Sequence, residues 1–305
     1  MTERDRHSIA VDGHEIELSN LGKVLFPKSG LTKGDLVEYY RDIANVALPH
    51  YRDRPLTMQR FPDGLAEEGF FQKQVPDHFP DWIDRVELDK QDGTVTYAIA
   101  NSAATLVYLA NQGCITPHLS LARWDKPDNP DRLIFDLDPS DNDFAKVREA
   151  AKRLKSLLDE LELTSFVQTT GSRGLHVVVP LDRAADFDTT RDFARALAEC
   201  LSARHPDALT VEYRKAKRED RVFLDYLRNA YGQTAVAPYA VRAILGAPVA
   251  TPLRWDEVTA ADLDARSYAM ENIFRRLAQI DDPWSGMPRT ACSVETARQR
   301  LAKIV

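Results

Sequence analysis

An α/β fold of the α+β kind, a mixed sheet with helices packed against it, is what this sequence predicts. Two observations carry that reading. Strand-length apolar runs and amphipathic helix-length runs follow one another in the order strand, helix, hairpin, helix, strand. The two strands of the central hairpin are joined by the short link Gly171-Ser172-Arg173-Gly174. That order is not the regular βαβ series of a parallel sheet.

Taken in order, Ile9 to Leu18 reads as a hairpin, because Asp12-Gly13 supplies the positive φ angles of a two-residue type I′ turn. Thr32 followed by Asp35 resembles a capping box, and Leu36, Tyr39, Tyr40, Ile43 and Val46 recur at helical spacing, so a helix runs from about Lys33 to Leu48. The turn formers Lys126, Pro127, Asp128, Asn129 and Pro130 mark a lobe boundary. One domain over 1–300 or two closely packed lobes would both fit, with an N-terminal lobe 1–125 beside a core 131–300. Leu133 to Asp138 reads as a strand stopped by Pro139, and Phe144, Val147, Ala151, Leu154, Leu158 and Leu161 mark an amphipathic helix. Ser165 to Thr170 and Leu175 to Pro180 read as two strands, Thr189 to Ala203 as a helix, Arg221 to Tyr226 as a short strand and Tyr268 to Ala278 as a late helix.

Composition sets bounds. Of 305 residues, 44% are hydrophobic and 29% charged, the profile of a globular chain with a substantial core. The longest apolar stretches, such as Val177 to Leu181 and Val236 to Ala240, are far short of a membrane span, and Met1 to His7 is too charged for a secretory signal, which places the chain in the cytoplasm. Cys114, Cys200 and Cys292 stand apart, with no zinc-site or disulfide spacing. A net charge of -7 argues against coating nucleic acid by bulk electrostatics. Locally, Arg214, Lys215, Lys217, Arg218 and Arg221 form a basic run that reads equally as a nucleic-acid contact or a solvated loop. Neither a P-loop nor GxGxxG is present, so ATPase and dinucleotide-binding readings lack their main support.

The chemistry is concentrated in a few residues. Side chains alternate along a strand, so Asp136 and Asp138 project together while Leu133, Phe135 and Leu137 enter the core. Carboxylates about 7 Å apart at this spacing can converge on metal ions about 3.5 to 4 Å from each other, the separation used for in-line phosphoryl displacement. The alternative is that both cap the following helix, yet Asp141, Asn142 and Asp143 already serve that purpose. Asp225, inside the apolar run Val222 to Tyr226, needs a cation or an Arg partner. The link from Gly171 to His176 offers backbone N–H groups, a hydroxyl, a guanidinium and an imidazole, a set that suits a triphosphate, and it could equally be a bare turn. His118 and Arg242 are single residues and taken alone read as structural.

Three segments together, RLIFDLDPS at Arg132 to Ser140, TTGSRGLHVVVPL at Thr169 to Leu181 and VFLDYLRN at Val222 to Asn229, resemble the polymerase domain of bacterial DNA ligase D, in the archaeo-eukaryotic primase superfamily. SNLGKVLFPKSGLTKGD near residue 19, FFQK at Phe70 to Lys73 and APYAVR at Ala237 to Arg242 extend the resemblance over nearly the whole chain. It implies a primase-like catalytic core with a mixed, largely antiparallel sheet flanked by helices, and a metal-binding triad of Asp136, Asp138 and Asp225 holding two ions, Mn²⁺ or Mg²⁺. It assigns His118, Thr170, Ser172, Arg173, His176, Arg228 and Arg242 to the incoming nucleotide. Asn20, Lys23 and Lys33 match positions holding a DNA 5′-phosphate, and Arg60, Phe70, Phe71 and Lys73 match a template-contacting segment, in which aromatic faces stack on bases. Gln59 stands before Arg60, Phe61 and Pro62 where some relatives have Lys.

The expected activity is addition of NTPs or dNTPs to a DNA primer at short gaps or breaks, in end joining or gap filling beside the nucleoid, with a separate DNA ligase and end-binding repair proteins as partners. A complete ligase D also carries ligase and often phosphoesterase segments, for which 305 residues leave no room, so a stand-alone relative or an excised domain is expected. The alternatives are a metal-dependent nuclease and a non-catalytic module that binds 5′-phosphate ends.

Overall fold

A computed structural model describes residues 6–90, 92–141 and 143–304. Residues 1–5 and Asn142 lie outside the described residues, so the charged N-terminus and the Asn142 part of the capping argument find no structural counterpart. The first half contains β1 (Arg6–Val11), β2 (His14–Ser19), β3 (Val24–Phe26), β4 (Leu31–Thr32), α1 (Lys33–Tyr51), β5 (Pro55–Arg60), β6 (Phe70–Gln72), β7 (Arg85–Lys90), β8 (Gly93–Ile99), α2 (Ala103–Asn111) and β9 (Cys114–Ser120). There follow β10 (Arg132–Asp138), α3 (Phe144–Glu160), β11 (Phe166–Thr169), β12 (Leu175–Pro180), α4 (Phe187–Arg204), β13 (Leu209–Thr210), β14 (Val222–Asp225), β15 (Thr234–Val236), β16 (Pro252–Leu253), α5 (Ile273–Leu277) and α6 (Val294–Leu301).

Local chemistry accounts for the elements that were read from sequence. Asp12 and Gly13 both adopt positive φ, as the tight turn between β1 and β2 requires. Thr32 and Asp35 close a reciprocal capping box on α1. That helix continues through Pro49 to Tyr51, past the expected end at Leu48, with His50 and Tyr51 buried. Asp143 caps α3 by accepting from the Ala145 amide.

The late helix is a correction: only Ile273–Leu277 is helical. The backbone of residues 268–270 is committed elsewhere, since Tyr268 O accepts from Val249 N, Met270 N donates to Ala247 O, and Ala269 bridges Pro248. Those bonds exclude the i→i−4 ladder at its start.

Two six-stranded sheets organise the molecule. One has the order β15-β9-β5-β8-β7 with β6 on β5; the other has the order β13-β14-β10-β12-β11-β16. Every pairing among these strands is antiparallel except β13 with β14. Residues 234–236 pair with β9 and Ala237 to Ala250 pack with α1 and α2, so the chain returns to the first sheet after completing most of the second. Leu133, Phe135 and Leu137 of β10 join α3 and α4 in one core, while Ile134 faces the other way against Leu121, Val178, Ala235 and Trp284. The alternation puts Asp136 and Asp138 on the Ile134 face.

Candidate active site

The central strand of the second sheet carries the acids, and its neighbours complete them. Asp136 stands directly opposite His176 on β12 and opposite Asp225 on β14. Sequence-distant groups thus meet on one surface. Asn229, fully buried, takes the place of a strand partner further up β10, accepting from Ile134 N and donating to Ile134 O and Tyr226 O. Its role in holding β10 went unread in the sequence, where an Asn after an Arg looks like a loop residue.

Beyond Asp136 and Asp138, a cavity of about 200 Å³ is lined by His118, Thr170, Ser172, Arg173, His176, Arg228 and Arg242, with Val236 as its apolar member. All seven residues assigned by resemblance to the nucleotide therefore share one space with two of the acids. Asp225 does not line it directly; it lies beside Asp136 and accepts from Leu227 N at 2.8 Å. The Thr170 hydroxyl is committed to the turn, accepting from Ser172 N and Gly174 N, so this link is a built structure rather than a free glycine loop. Arg242 Nη1 donates to Thr170 O at 3.0 Å, and its Nε is a buried donor with no partner among the described residues. His118 Nε2 is also buried without a partner among the described residues.

Gln168 is a residue the sequence reading missed. It pairs with His176 across β11 and β12, and its amide nitrogen lies 3.2 Å from His176 Nδ1 and 3.4 Å from Val236 O. An amide inside an otherwise apolar strand was the available signal. It fixes the imidazole whose Nε2 lies 3.5 Å from Asp136 Oδ1.

Electrostatics divide the acids into two kinds. Burial pushes the Asp136 carboxyl up, but His176 and the Arg228 guanidinium, 3.2 Å away, outweigh it and hold it well below the usual carboxylate range. Burial and the Asp136 charge push Asp138 up, and burial with Asp136 does the same to Asp225. The Asp138 carboxylate is in no hydrogen bond or ion pair among the described residues. Burial, reinforced by Arg242, Arg228 and His176, pushes His118 down to about 3, so it is neutral at physiological pH.

No group of three His, Cys, Asp or Glu side chains among the described residues stands placed to hold a metal ion alone. The donor chemistry fits all the same. Two carboxylates with a third on the next strand suit a hard divalent ion that completes its shell with water and substrate phosphates. Asp138 and Asp225, disfavoured as anions where they stand, are the positions a cation would relieve.

The outer assignments fall in two further places. Asn20, Lys23 and Lys33 are brought together by Lys23 N donating to Asn20 O and Lys33 N donating to Lys23 O. Lys23 Nζ reaches Asp63 and Pro62 O, and Lys33 Nζ lies 3.4 Å from Ser19 Oγ. None of the three lines the cavity that holds the acids. The Phe71 ring packs edge-on against His118 at 5.4 Å and is 62% exposed; Phe70 lies under the Arg60 guanidinium. Lys73 Nζ donates to Gly232 O. In the basic run, Arg218 and Arg221 are bonded to backbone carbonyls of their own turn.

A cleft able to neutralise a triphosphate from opposite sides is what nucleotide addition needs, and nucleotidyltransferase is the class that fold and site define. The model of the LigD primase-polymerase domain matches residues 32–284, and the chain belongs to that family. It is 34% identical over 281 residues to the multifunctional non-homologous end joining protein LigD of Mycolicibacterium smegmatis, covering 91% of this chain and 37% of that protein. The bifunctional LigD of Bacillus subtilis is 31% identical over 281 residues, with 92% and 45% covered. The chain thus spans less than half the length of these relatives. Among solved structures, the polymerase domain from Mycobacterium tuberculosis ligase D in complex with DNA matches with a TM-score of 0.86 at 32% identity, covering 91% of this chain and 99% of that one. No helix among the described residues is long and apolar enough to cross a membrane.

Proposed function

We propose that the chain acts as a single catalytic domain over 1–300 that adds NTPs or dNTPs, directed by a template, to a DNA primer at short gaps or breaks. The setting is end-joining repair at the nucleoid in the cytoplasm, with a separate DNA ligase and end-binding proteins following. The carrying observation is the one cavity in which Asp136 and Asp138 face Arg173, Arg228 and Arg242. Family membership, and the DNA complex of the similar ligase D domain, support the same reading.

Asp136, Asp138 and Asp225 would hold two ions, Mn²⁺ or Mg²⁺, which when bound neutralise the triphosphate and lower the pKa of the 3′-hydroxyl. Arg173 and Arg242, which line the cleft, take phosphate oxygens. Neutral His118 hydrogen-bonds without adding charge, and Gln168 with His176 and Arg228 fixes the Asp136 carboxylate. Exposed Phe71, against His118, offers a face for a base.

A nuclease could use the same acids but has no use for guanidiniums on the triphosphate side, and an end-binding module has no use for the acids. Incubating a labelled primer on a gapped duplex with NTP or dNTP and each metal separates them. Lengthening supports the polymerase; shortening, or binding without lengthening, sinks it.

Lys33 gives a pH prediction. Burial and the neighbouring Lys23 charge hold its ammonium down to about 8. If Lys33 grips the 5′-phosphate, preference for a 5′-phosphorylated gap over an unphosphorylated one falls as pH rises through about 8, because the cation is lost. In Lys33→Ala the preference is expected to be small and flat between pH 7 and 9; a wild-type profile without that fall removes Lys33 from the role.

Metal binding has a readout apart from turnover. Adding Mn²⁺ to chelator-treated protein is expected to raise Tm through binding to the folded state only, and Asp138→Asn is expected to lose most of that rise. An equal rise in both proteins would place the ion elsewhere.

A further inference from the structure

We infer that the end of β10 remote from the carboxylates forms a second anion site, one that takes a hydrogenphosphate-class oxyanion. Arg132, Ile134, Asp136 and Asp138 share one face of β10, and Arg132 lies about 14 Å along the strand from Asp136. Ile134, packed with Val178, Trp284 and Met287, closes the space between. On the far side of that plug a separate cavity of about 210 Å³ is lined by Arg54, Arg123, Arg132 and Arg183, with Asp131 as its one acid.

The ion pairs leave this cavity short of negative charge. Arg54 and Arg123 share Asp131 Oδ2 at 2.6 and 3.1 Å, and Arg123 also reaches Asp53 at 3.7 Å. Arg183 pairs at 2.6 Å with Asp125, which is not among the lining residues. Arg132 is in no ion pair among the described residues; its Nη2 donates to His50 O at 3.1 Å. It is only 5% exposed. Among the described residues its Nε and the Nε of Arg183 are buried donors without partners, and Asp131 Oδ1 is a buried acceptor without a donor.

A buried guanidinium that shares one carboxylate's charge with two other arginines and lacks a full set of hydrogen bonds is unfavourable until something supplies them. Hydrogenphosphate supplies both kinds of missing partner. Its oxygens accept from the Arg132 and Arg183 guanidiniums that line the cavity, and its O–H can donate to the Asp131 carboxylate beside them. Sulfate has the oxygens and not the proton, so it is expected to bind more weakly. The same chemistry is carried by inorganic phosphate and by a terminal phosphate monoester on nucleic acid.

The test is thermal unfolding of the full chain carrying Arg173→Ala and Arg242→Ala, which removes two phosphate-binding guanidiniums from the catalytic cleft. Inorganic phosphate is titrated against sodium chloride at equal ionic strength. The expected result is a Tm rise of about 3 °C at tenfold excess over Kd, lost when Arg132→Met is added and reduced by Arg183→Ala. Arg132→Met keeps an apolar stem in the wall; should it not fold, the partly exposed Arg183→Ala carries the comparison. Replacing inorganic phosphate by a 5′-phosphorylated oligonucleotide separates the two sources: an Arg132-dependent rise from the oligonucleotide alone assigns the site to a nucleic-acid terminus, and one from inorganic phosphate assigns it to the free anion. No phosphate-specific rise from either, or one indifferent to Arg132 and Arg183, overturns the site and leaves ordered water as its occupant.

Discussion

Asp138→Asn is expected to lose primer extension by about 10³-fold or more, the equivalent of about 4 kcal/mol of transition-state stabilisation, and yet to unfold at a higher temperature than the unsubstituted chain when divalent ions are absent. Both halves follow from where the carboxylate sits. Burial and the Asp136 charge raise its pKa. An acid whose folded pKa is raised contributes stability below its unfolded pKa and loses it as pH rises through the folded one. At neutral pH the ionised Asp138 therefore weakens the metal-free fold, and a neutral amide of the same shape removes that penalty. The amide is a poor ligand for a hard cation and cannot replace the charge that neutralises a triphosphate. Extension at near-normal rate in Asp138→Asn would refute its role; a lower Tm would refute the electrostatic argument. Asp136→Ala should abolish extension too, while leaving DNA binding largely intact.

Gly174→Ala is expected to destabilise the fold by about 3 to 4 kcal/mol and to abolish extension with it. A Cβ at this position would overlap the Leu137 carbonyl oxygen and come to 3.1 Å from Asp138 Oδ1. Leu137 O is backbone of the central strand, flanked by Asp136 and Asp138, so it cannot move aside without displacing the acids. Gly174 is also anchored from its own side, its N–H held by Thr170 Oγ1 and its carbonyl accepting from Thr170 N. Urea unfolding measures the effect as a lower midpoint at unchanged slope; a midpoint within error of the unsubstituted chain would contradict it.

Much of the second sheet could be read from local signals. The alternation in Leu133 to Asp138 gave both the core face and the shared face of the two acids; outside that sheet, Asp12-Gly13 and Thr32 with Asp35 gave the β1–β2 turn and the cap of α1. What local signals did not show was convergence. That Asp225 lies opposite Asp136, or that His118 and Arg242 share a cavity with Arg173, depends on pairings between strands far apart in sequence, and only resemblance to a family supplied them. The first sheet escaped for a related reason. Thr57, Gln59 and Arg60 of β5 and Thr116 and His118 of β9 are polar, and their pairing with each other and with Thr234 to Val236 is wholly non-local. Tyr268 to Ala278 has helical periodicity, but backbone bonds to residues 247–249 claim its first turn. Gln168 and Asn229 have their meaning only from the partners across the sheet.

On the proposed function this cleft adds the nucleotide a template specifies. Its most direct test is single-nucleotide incorporation on a primer facing a short 5′-phosphorylated gap, with each of the four NTPs offered alone against each of the four template bases in Mn²⁺. The account predicts one-nucleotide lengthening chiefly with the complementary NTP, and none in Asp136→Ala. Lengthening indifferent to the template base, or none with any NTP, would contradict it.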